Sequence, residues 1–380
     1  MSFDLARLFQ PLAGAQLDDL EIHVVGGAVR DTLLGITPKD MDYVVIGARP
    51  ETLIERGCQP VGQDFPVFLH PISHVELALA RTERKTAHGH TGFQVYADPT
   101  VTLEMDLKRR DFTINAMAVS REGTLTDPFG GQTDLDARLL RQVSDAFSED
   151  PLRVLRGARF CTQLGAFGFQ IEASTLVTMQ QMADRLSELS IERVTREIER
   201  ILHSKTPEIG LNALKNTGAL PALLPELPVL PRQFVTQHPT MRLAEWVLKN
   251  SFSETQLIAW CKRLRLSTLQ TQTLLAMHRL ASLQSPSAEG IVETMQRLGW
   301  LRGNPPDPEL DRLLLEADQA ELSPISVATW IHWRTRVRQI NTAPLIAHGL
   351  TGQALGDALY AERVRVLSTE ISAPGTAPGL

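Results

Sequence analysis

The first dense alternation of apolar and polar positions is Glu21-Ile-His-Val-Val-Gly-Gly-Ala-Val-Arg-Asp-Thr-Leu-Leu-Gly-Ile-Thr-Pro-Lys-Asp-Met-Asp-Tyr-Val-Val-Ile-Gly47. A short apolar run stops at Gly26-Gly27. A helix is expected to open at Ala28, and a second strand to carry Asp40 and Asp42 before Val44 to Ile46 run into the core. Residues two apart on a strand share a face, so the two carboxylates are expected to project together, with Met41 and Tyr43 on the other side. A helix over 50–57 and strands at Val67-Phe-Leu-His70 and Val75-Glu-Leu-Ala-Leu-Ala80 follow. Residues 81–93 are polar, basic and interrupted by glycine, which predicts a mobile loop. Val119 to Leu125 reads as a last strand, and after Asp134 strand patterns stop. Ser148-Glu-Asp-Pro-Leu-Arg153 carries helix-start signals, acidic residues and then Pro151 in the first turn. Helical periodicity recurs at 172–187, 191–203 and 207–218. Four prolines in 220–232 break it, and amphipathic helices fill most of 233–380, with further prolines at 304–308 and a disordered tail expected at 372–380.

At 380 residues the chain can hold two or three domains. Hydrophobic residues at 43% and charged residues at 22% are ordinary for a soluble protein, which removes fibrous and disordered classes. A formal charge of −6 argues against a basic coat over the whole surface while allowing local patches. Arg and Lys outnumber Glu between about 230 and 300, a weak hint of a surface for a phosphate backbone. Cys58, Cys161 and Cys261 are far apart with no Cys-x-x-Cys, against a zinc ribbon or disulfide framework. The first 18 residues lack the signature of a secretory signal, and no apolar run approaches the roughly 20 residues that span a bilayer. The expected location is cytoplasmic.

The candidate chemistry begins with Asp40 and Asp42. Adjacent carboxylates repel unless a cation sits between them, and Mg²⁺ is held by one or two carboxylates together with substrate phosphates. The Gly26-Gly27 turn allows close approach of backbone to a ligand, the following helix start favours an anion, and Arg30 adds a charged donor. This suggests metal-assisted transfer from a nucleoside triphosphate, without the P-loop or dinucleotide fingerprints. Glu76 is either a third acidic group or a solvent-facing strand residue. His88 and His90 have no partner ligands nearby in sequence and do not read as a metal site. Lys108-Arg-Arg110 precedes a helix-like Phe-Thr-Ile-Asn-Ala-Met, where cations would oppose the macrodipole. A bound phosphate would compensate them, with Asp111 either accepting from a ribose hydroxyl or capping the helix. Arg153, Arg156 and Arg159 recur every third residue on one helix side and need an anion or carboxylates to answer them.

Val25-Gly-Gly-Ala-Val-Arg-Asp31 with Lys39-Asp-Met-Asp42, then Arg109-Arg-Asp-Phe-Thr-Ile-Asn-Ala116, then Glu149-Asp-Pro-Leu-Arg-Val-Leu-Arg156, resembles the class II tRNA nucleotidyltransferases, the CCA-adding enzymes and related bacterial poly(A) polymerases. The likeness runs in order from about 22 to 230. Val61-Gly-Gln-Asp-Phe-Pro-Val-Phe-Leu-His-Pro71 and Ala80-Arg-Thr-Glu-Arg-Lys85 look most like the bacterial CCA-adding branch. The resemblance implies an α+β fold: a nucleotidyltransferase palm related to that of DNA polymerase β over 1–140, a helical neck over 141–225 and a helical, tRNA-binding body and tail over 226–380. It implies Asp40 and Asp42 as ligands of the catalytic Mg²⁺ and Gly27 and Arg30 on the triphosphate. Arg110, Arg156 and Arg159 would contact the incoming ATP or CTP, Asp111 its ribose, and Asp150 and Arg153 its base. Cytosine and adenine each present an amino donor beside a ring-nitrogen acceptor, so a carboxylate and an arginine together suit both and reject uracil and guanine. The expected activity is stepwise addition of C, C and A to the tRNA 3′ end, with no protein partner implied. CC-adding, A-adding or poly(A) polymerase activity and, from another class, a non-catalytic RNA-binding protein are the alternatives. No His is followed by Asp, so the phosphohydrolase domain of some relatives, and its activity, are not expected.

Overall fold

The computed structural model describes residues 5–61, 67–85, 93–96, 98–283, 287–303 and 307–372. Its organising strand is β1 (Glu21–Val25), antiparallel to β2 (Asp42–Ile46) on one side, with Val25 opposite Asp42. Strand β3 (Gln59–Val61), β4 (Val67–Leu69) and β5 (Glu76–Leu79) extend the sheet beyond β2. A hairpin of β6 (Thr82–Lys85) and β7 (Phe93–Tyr96) stands apart, and β8 (Ala118–Ser120) and β9 (Leu125–Thr126) complete the sheet on the far side of β1. The order is β3-β4-β5-β2-β1-β8-β9, and β2 with β5 is its parallel pair.

Both faces of the sheet are covered, and β1 is buried from Ile22 to Val25, with His23 bonded to Glu21 at the exposed strand start. Ile22, Val24, Tyr43, Val45, Leu77 and Leu79 face one core, shared with α1 (Gly27–Leu33), α2 (Pro50–Glu55) and the N-terminal 3₁₀ turn Leu5–Leu12. The Tyr43 hydroxyl donates to Leu8 O at 2.7 Å and ties that turn down. Met41, just ahead of β2, packs against the same core. Val25, Val44, Ala80, Ala116 and Ala118 face a second core with Leu107 of α3 (Leu103–Lys108).

Several expectations are corrected. Asp40 lies in a bend ahead of β2, because Pro38-Lys39-Asp40 makes no ladder bonds and pairing with β1 starts at Asp42. Residues 82–85 and 93–96 are paired strands rather than loop; 86–92, with His88 and His90, fall outside the described residues. Lys108 and Arg109 end α3 and Arg110 follows it, so these cations do not sit at a helix start. The segment after them is a single 3₁₀ turn, Thr113–Asn115. Strands also persist past Asp134: beyond α4 (Gly131–Ala137), β10 (Leu139–Leu140) pairs in parallel with β11 (Gln170–Ile171). Asp150 lies just ahead of α5 (Leu152–Gln163), not on it.

Helix α5 buries Val154, Leu155, Ala158 and Cys161, and Phe160 meets Phe112 edge-on at 5.7 Å between ring centroids. A Cβ on Gly157 would lie 2.4 Å from Met179 Cε and 3.1 Å from Phe112 Cζ, so glycine there lets α5 sit against α6 (Ala173–Gln181) and the Phe112 segment. Next come α7 (Ile191–Leu202), α8 (Pro207–Asn216) and α9 (Ala219–Leu223). Residues 1–197 and 209–223 form one compact unit, and 198–208 with 224–380 a second.

The second unit is helical: α10 (Pro239–Leu248), α11 (Glu254–Arg263), α12 (Thr268–Ser282), α13 (Ala288–Arg297), α14 (Pro308–Leu314), α15 (Glu316–Gln319), α16 (Val327–Arg338), α17 (Ala343–Ala347) and α18 (Gly352–Ser372). Trp246, Trp300 and Trp330 anchor its core. Part of the basic excess between 230 and 300 is answered within the unit: Arg242 is buried against the Thr236, Leu202 and Ser204 carbonyls, and at the surface Arg263 pairs with Glu226 and Arg279 with Glu254. No helix among the described residues is long and apolar enough to cross a membrane.

Candidate active site

Gly26 ends β1 with φ +74°, and a Cβ there would lie 2.9 Å from Arg110 Nη1 and 3.8 Å from Asp42 Oδ2. The absent side chain lets the Arg110 guanidinium and the Asp42 carboxylate approach the turn together. Gly27 opens α1, with Arg30 Nη2 3.5 Å from the position of a Cβ. That helix has only seven residues, so the close approach at Gly26 matters more here than a macrodipole.

Asp42 keeps solvent contact at the strand start while protein crowds it from behind. That burial pushes its pKa up, Arg110 and Arg156 oppose the shift, and Asp40 reinforces it. The two carboxylates therefore feel each other, although Asp40 is off the strand. An ionised pair held this way fits a divalent cation, whose hard oxygen preference and charge would relieve the repulsion. Glu76 is the register partner of Asp42 on β5, which puts both on one sheet face. Among the described residues no three His, Cys, Asp or Glu gather as a group that could hold a metal ion.

The cations ending α3 are answered from within. Asp106, wholly buried, accepts from Arg109 Nε at 3.0 Å, Arg109 Nη2 at 2.8 Å and Arg110 Nη2 at 3.1 Å. Burial alone would raise the Asp106 pKa, but the two arginines hold it below the ordinary value. Arg110 Nε is buried and has no hydrogen-bond partner. Asp106 thus fixes one edge of this guanidinium through Nη2, Nη1 is the atom nearest the Gly26 turn, and the buried Nε is unpartnered.

Asp111 Oδ1 accepts from the Phe112 N–H at 2.9 Å and Asn115 Nδ2 at 3.2 Å. Its Oδ2 accepts from Arg156 Nε at 2.7 Å and Nη2 at 2.6 Å. Burial works to raise the Asp111 pKa, but the charges of Arg156 and Arg153 and the Asn115 bond outweigh it and hold it at about 2. Asn115 Oδ1 in turn accepts from Arg30 Nη1 at 2.7 Å, while Arg30 Nε and Nη2 bond Asp31 at 2.8 and 2.7 Å. Arg159 donates to Glu197 at 2.7 Å and Gln163 at 2.9 Å. The Cζ atoms of Arg30, Arg156 and Arg159 lie 5.3, 5.5 and 4.4 Å from the Phe160 ring centroid, so one aromatic gathers three guanidiniums.

Asp150 Oδ1 accepts from the Leu152 N–H at 3.0 Å and Oδ2 from Arg193 of α7 at 3.1 Å. Arg153 donates to the Ala146 and Arg109 carbonyls. Electrostatically, Asp150 acts on Arg156, and Arg156 acts on both Asp111 and Asp42, so the α5 residues and the strand carboxylates share one neighbourhood. Sequence reasoning singled out the Gly26-Gly27 turn but not Asp31, Asp106, Asn115, Phe160, Arg193 or Glu197. Asp106 and Asn115, each four residues from the side chain they serve, carried a helical-spacing signal; Arg193 and Glu197 are distant in sequence and carried none.

A family model described as the poly A polymerase head domain matches residues 22–141, and one described as a probable RNA and SrmB-binding site of polymerase A matches 168–230. The multifunctional CCA protein of Methylococcus capsulatus is 39% identical over 401 residues, covering 91% of this chain and 94% of that protein. Among solved structures, an apo CCA-adding enzyme superposes with TM-score 0.65 at 22% identity, covering 96% of this chain and 90% of the other. The CCA-adding enzyme of Bacillus stearothermophilus in complex with CTP gives 0.60 at 24% identity, covering 96% and 92%.

Proposed function

The chain belongs to the CCA-adding and poly A polymerase family of nucleotidyltransferases, and on that footing we propose that it adds C, C and A to the 3′ end of tRNA from CTP and ATP. The observation that carries this reading is the Asp40–Asp42 pair set beside an Arg110 guanidinium with an unspent donor. A site for a cation adjoins a site for an anion, which is what a triphosphate bound with a divalent metal requires.

Asp40 and Asp42 would hold the metal, assigned as Mg²⁺. When bound, it supplies charge neutralisation of the triphosphate and a lowered pKa for the attacking 3′-hydroxyl. The chain's own groups orient the reactants. Gly26 and Gly27 leave room for phosphates, and Arg110, fixed by Asp106, donates to them. Arg156, aligned by Asp111, adds positive charge near Asp42, while Arg30 and Arg159 brace that arrangement around Phe160. The 3′-hydroxyl attacks the α-phosphate in line and pyrophosphate leaves, bearing the electron pair of the broken bond.

Asp111 has its acceptor positions filled by Phe112, Asn115 and Arg156. Contact with a ribose hydroxyl would exchange one of these bonds. Asp150 and Arg153 would read the base likewise, trading Arg193 and backbone carbonyls for the amino donor and ring acceptor of cytosine or adenine. In this account residues 1–140 perform the chemistry, 141–225 choose the base and 226–380 hold tRNA. Asp40→Asn and Asp42→Asn should each lower addition by at least about 10²–10³-fold while tRNA binding, read by filter retention, stays near that of the unmodified protein. An active Asp42→Asn variant would remove the metal-binding role.

A further inference from the structure

After α13 the chain turns through Trp300-Leu-Arg-Gly303, and two arginines from other helices converge on its carbonyls. Arg338, at the end of α16, donates to Trp300 O and Gly303 O, both at 2.8 Å. Arg363, midway along α18, reaches Leu301 O only at 3.4 Å, and its Nε is buried with no partner. Arg302 projects from the turn itself and is exposed.

Among the described residues no carboxylate pairs with any of the three. The stretch 298–306 contains no acidic residue. On the same helices α16 and α18, Arg334 is answered by Asp311, Arg336 by Glu370 and Arg365 by Glu362. Burial and the charges of Arg338 and Arg302 all push the Arg363 pKa down, and no acidic group opposes them. Three uncompensated guanidiniums around one turn are unfavourable unless an anion joins them. Their planar forks suit a phosphate better than a carboxylate of the chain suits all three.

We propose that Arg302, Arg338 and Arg363 form a phosphate-binding site that seats a backbone phosphodiester of the RNA substrate against the 300–303 turn. The assignment to RNA rests on the nucleotidyltransferase reading; the chemistry recognised is a phosphate oxyanion. The test is the salt dependence of tRNA binding by the full chain and by R302Q, R363Q and the double variant, with thermal melts to verify folding. Arg302 is exposed, so R302Q keeps the test sound even if R363Q destabilises the helices.

The double variant should bind about three- to tenfold more weakly, with a log K against log salt slope shallower by about one. It should show a raised KM for tRNA, with kcat and the KM for ATP unchanged. An unchanged slope and affinity overturn the site. Inorganic phosphate raising the melting temperature of the unmodified protein but not of the double variant, with the RNA slope unchanged, makes it a small-anion site and overturns the RNA assignment. Failure of the unmodified protein to bind tRNA overturns that assignment and the enzymatic reading together, whereas intact nucleotide addition with an unchanged slope overturns this proposal alone.

Discussion

The titration of Asp42 and Asp111 runs in opposite directions, and each shift has a consequence for stability. Asp42 is raised by burial and by Asp40. Its folded form prefers the proton, so its contribution to stability is present below the unfolded carboxylate value and lost as pH rises through the folded value. At neutral pH the ionised Asp42 opposes folding, and Asp42→Asn should melt at the same temperature as the unmodified protein or higher, despite being inactive. Asp111 is lowered to about 2 from 3.8, so its contribution is full above the unfolded value and fades as pH falls toward the folded one. The shift corresponds to about 2 kcal/mol. Asp111→Asn should therefore show a lower urea midpoint at pH 7, with the gap to the unmodified protein narrowing near pH 3. A gap independent of pH would contradict the ion-pair origin. For base choice, Asp150→Ala should lose discrimination against UTP and GTP more than it loses stability, because Asp150 is only partly buried and braces a helix start. Continued exclusion of UTP and GTP would move base reading elsewhere.

Among the elements, those marked by apolar periodicity were legible: β1, α1, β2, β5 and α5 all exist in the expected order, although β2 starts only at Asp42 and α5 only at Leu152. The α+β class and the gathering of Asp42, Arg110, Asp111 and Arg156 follow from their order. Elements made by pairing across the sequence were not legible. The polar Thr82–Lys85 strand exists because Phe93–Tyr96 lies beside it, and the two-residue strands β10 and β11 are too short to show a period. The reading of Lys108 to Arg110 as a helix start failed because α3 ends there, with Asp106, one turn earlier, holding Arg109 and Arg110. Close packing was also hidden, since nothing local marks Gly157 as the point where α5 meets Met179 and Phe112. Gly157→Ala should cost about 1–3 kcal/mol by overpacking and should weaken nucleotide binding through displacement of Arg153 and Arg156. A thermal melt with a nucleotide titration reads both effects.

For the whole molecule, the net charge of −6 conceals a division of labour. Most arginines near the candidate site are spoken for by Asp31, Asp106, Asp111 and Glu197, so the positive charge there is fixed in place rather than spread over the surface. The helical unit likewise spends Arg242 and Arg334 internally. Preorganised charge of this kind suits a site that must bind a triphosphate and a nucleic-acid end without a template strand. The central claim is that this site adds C, C and A. The most direct measurement supplies a tRNA transcript ending at the discriminator base with Mg²⁺ and CTP, ATP or both, and resolves products at one nucleotide. Three additions that require both nucleotides are the predicted result. Two additions from CTP with no terminal A, a long ladder from ATP alone, or no addition under any condition would contradict it.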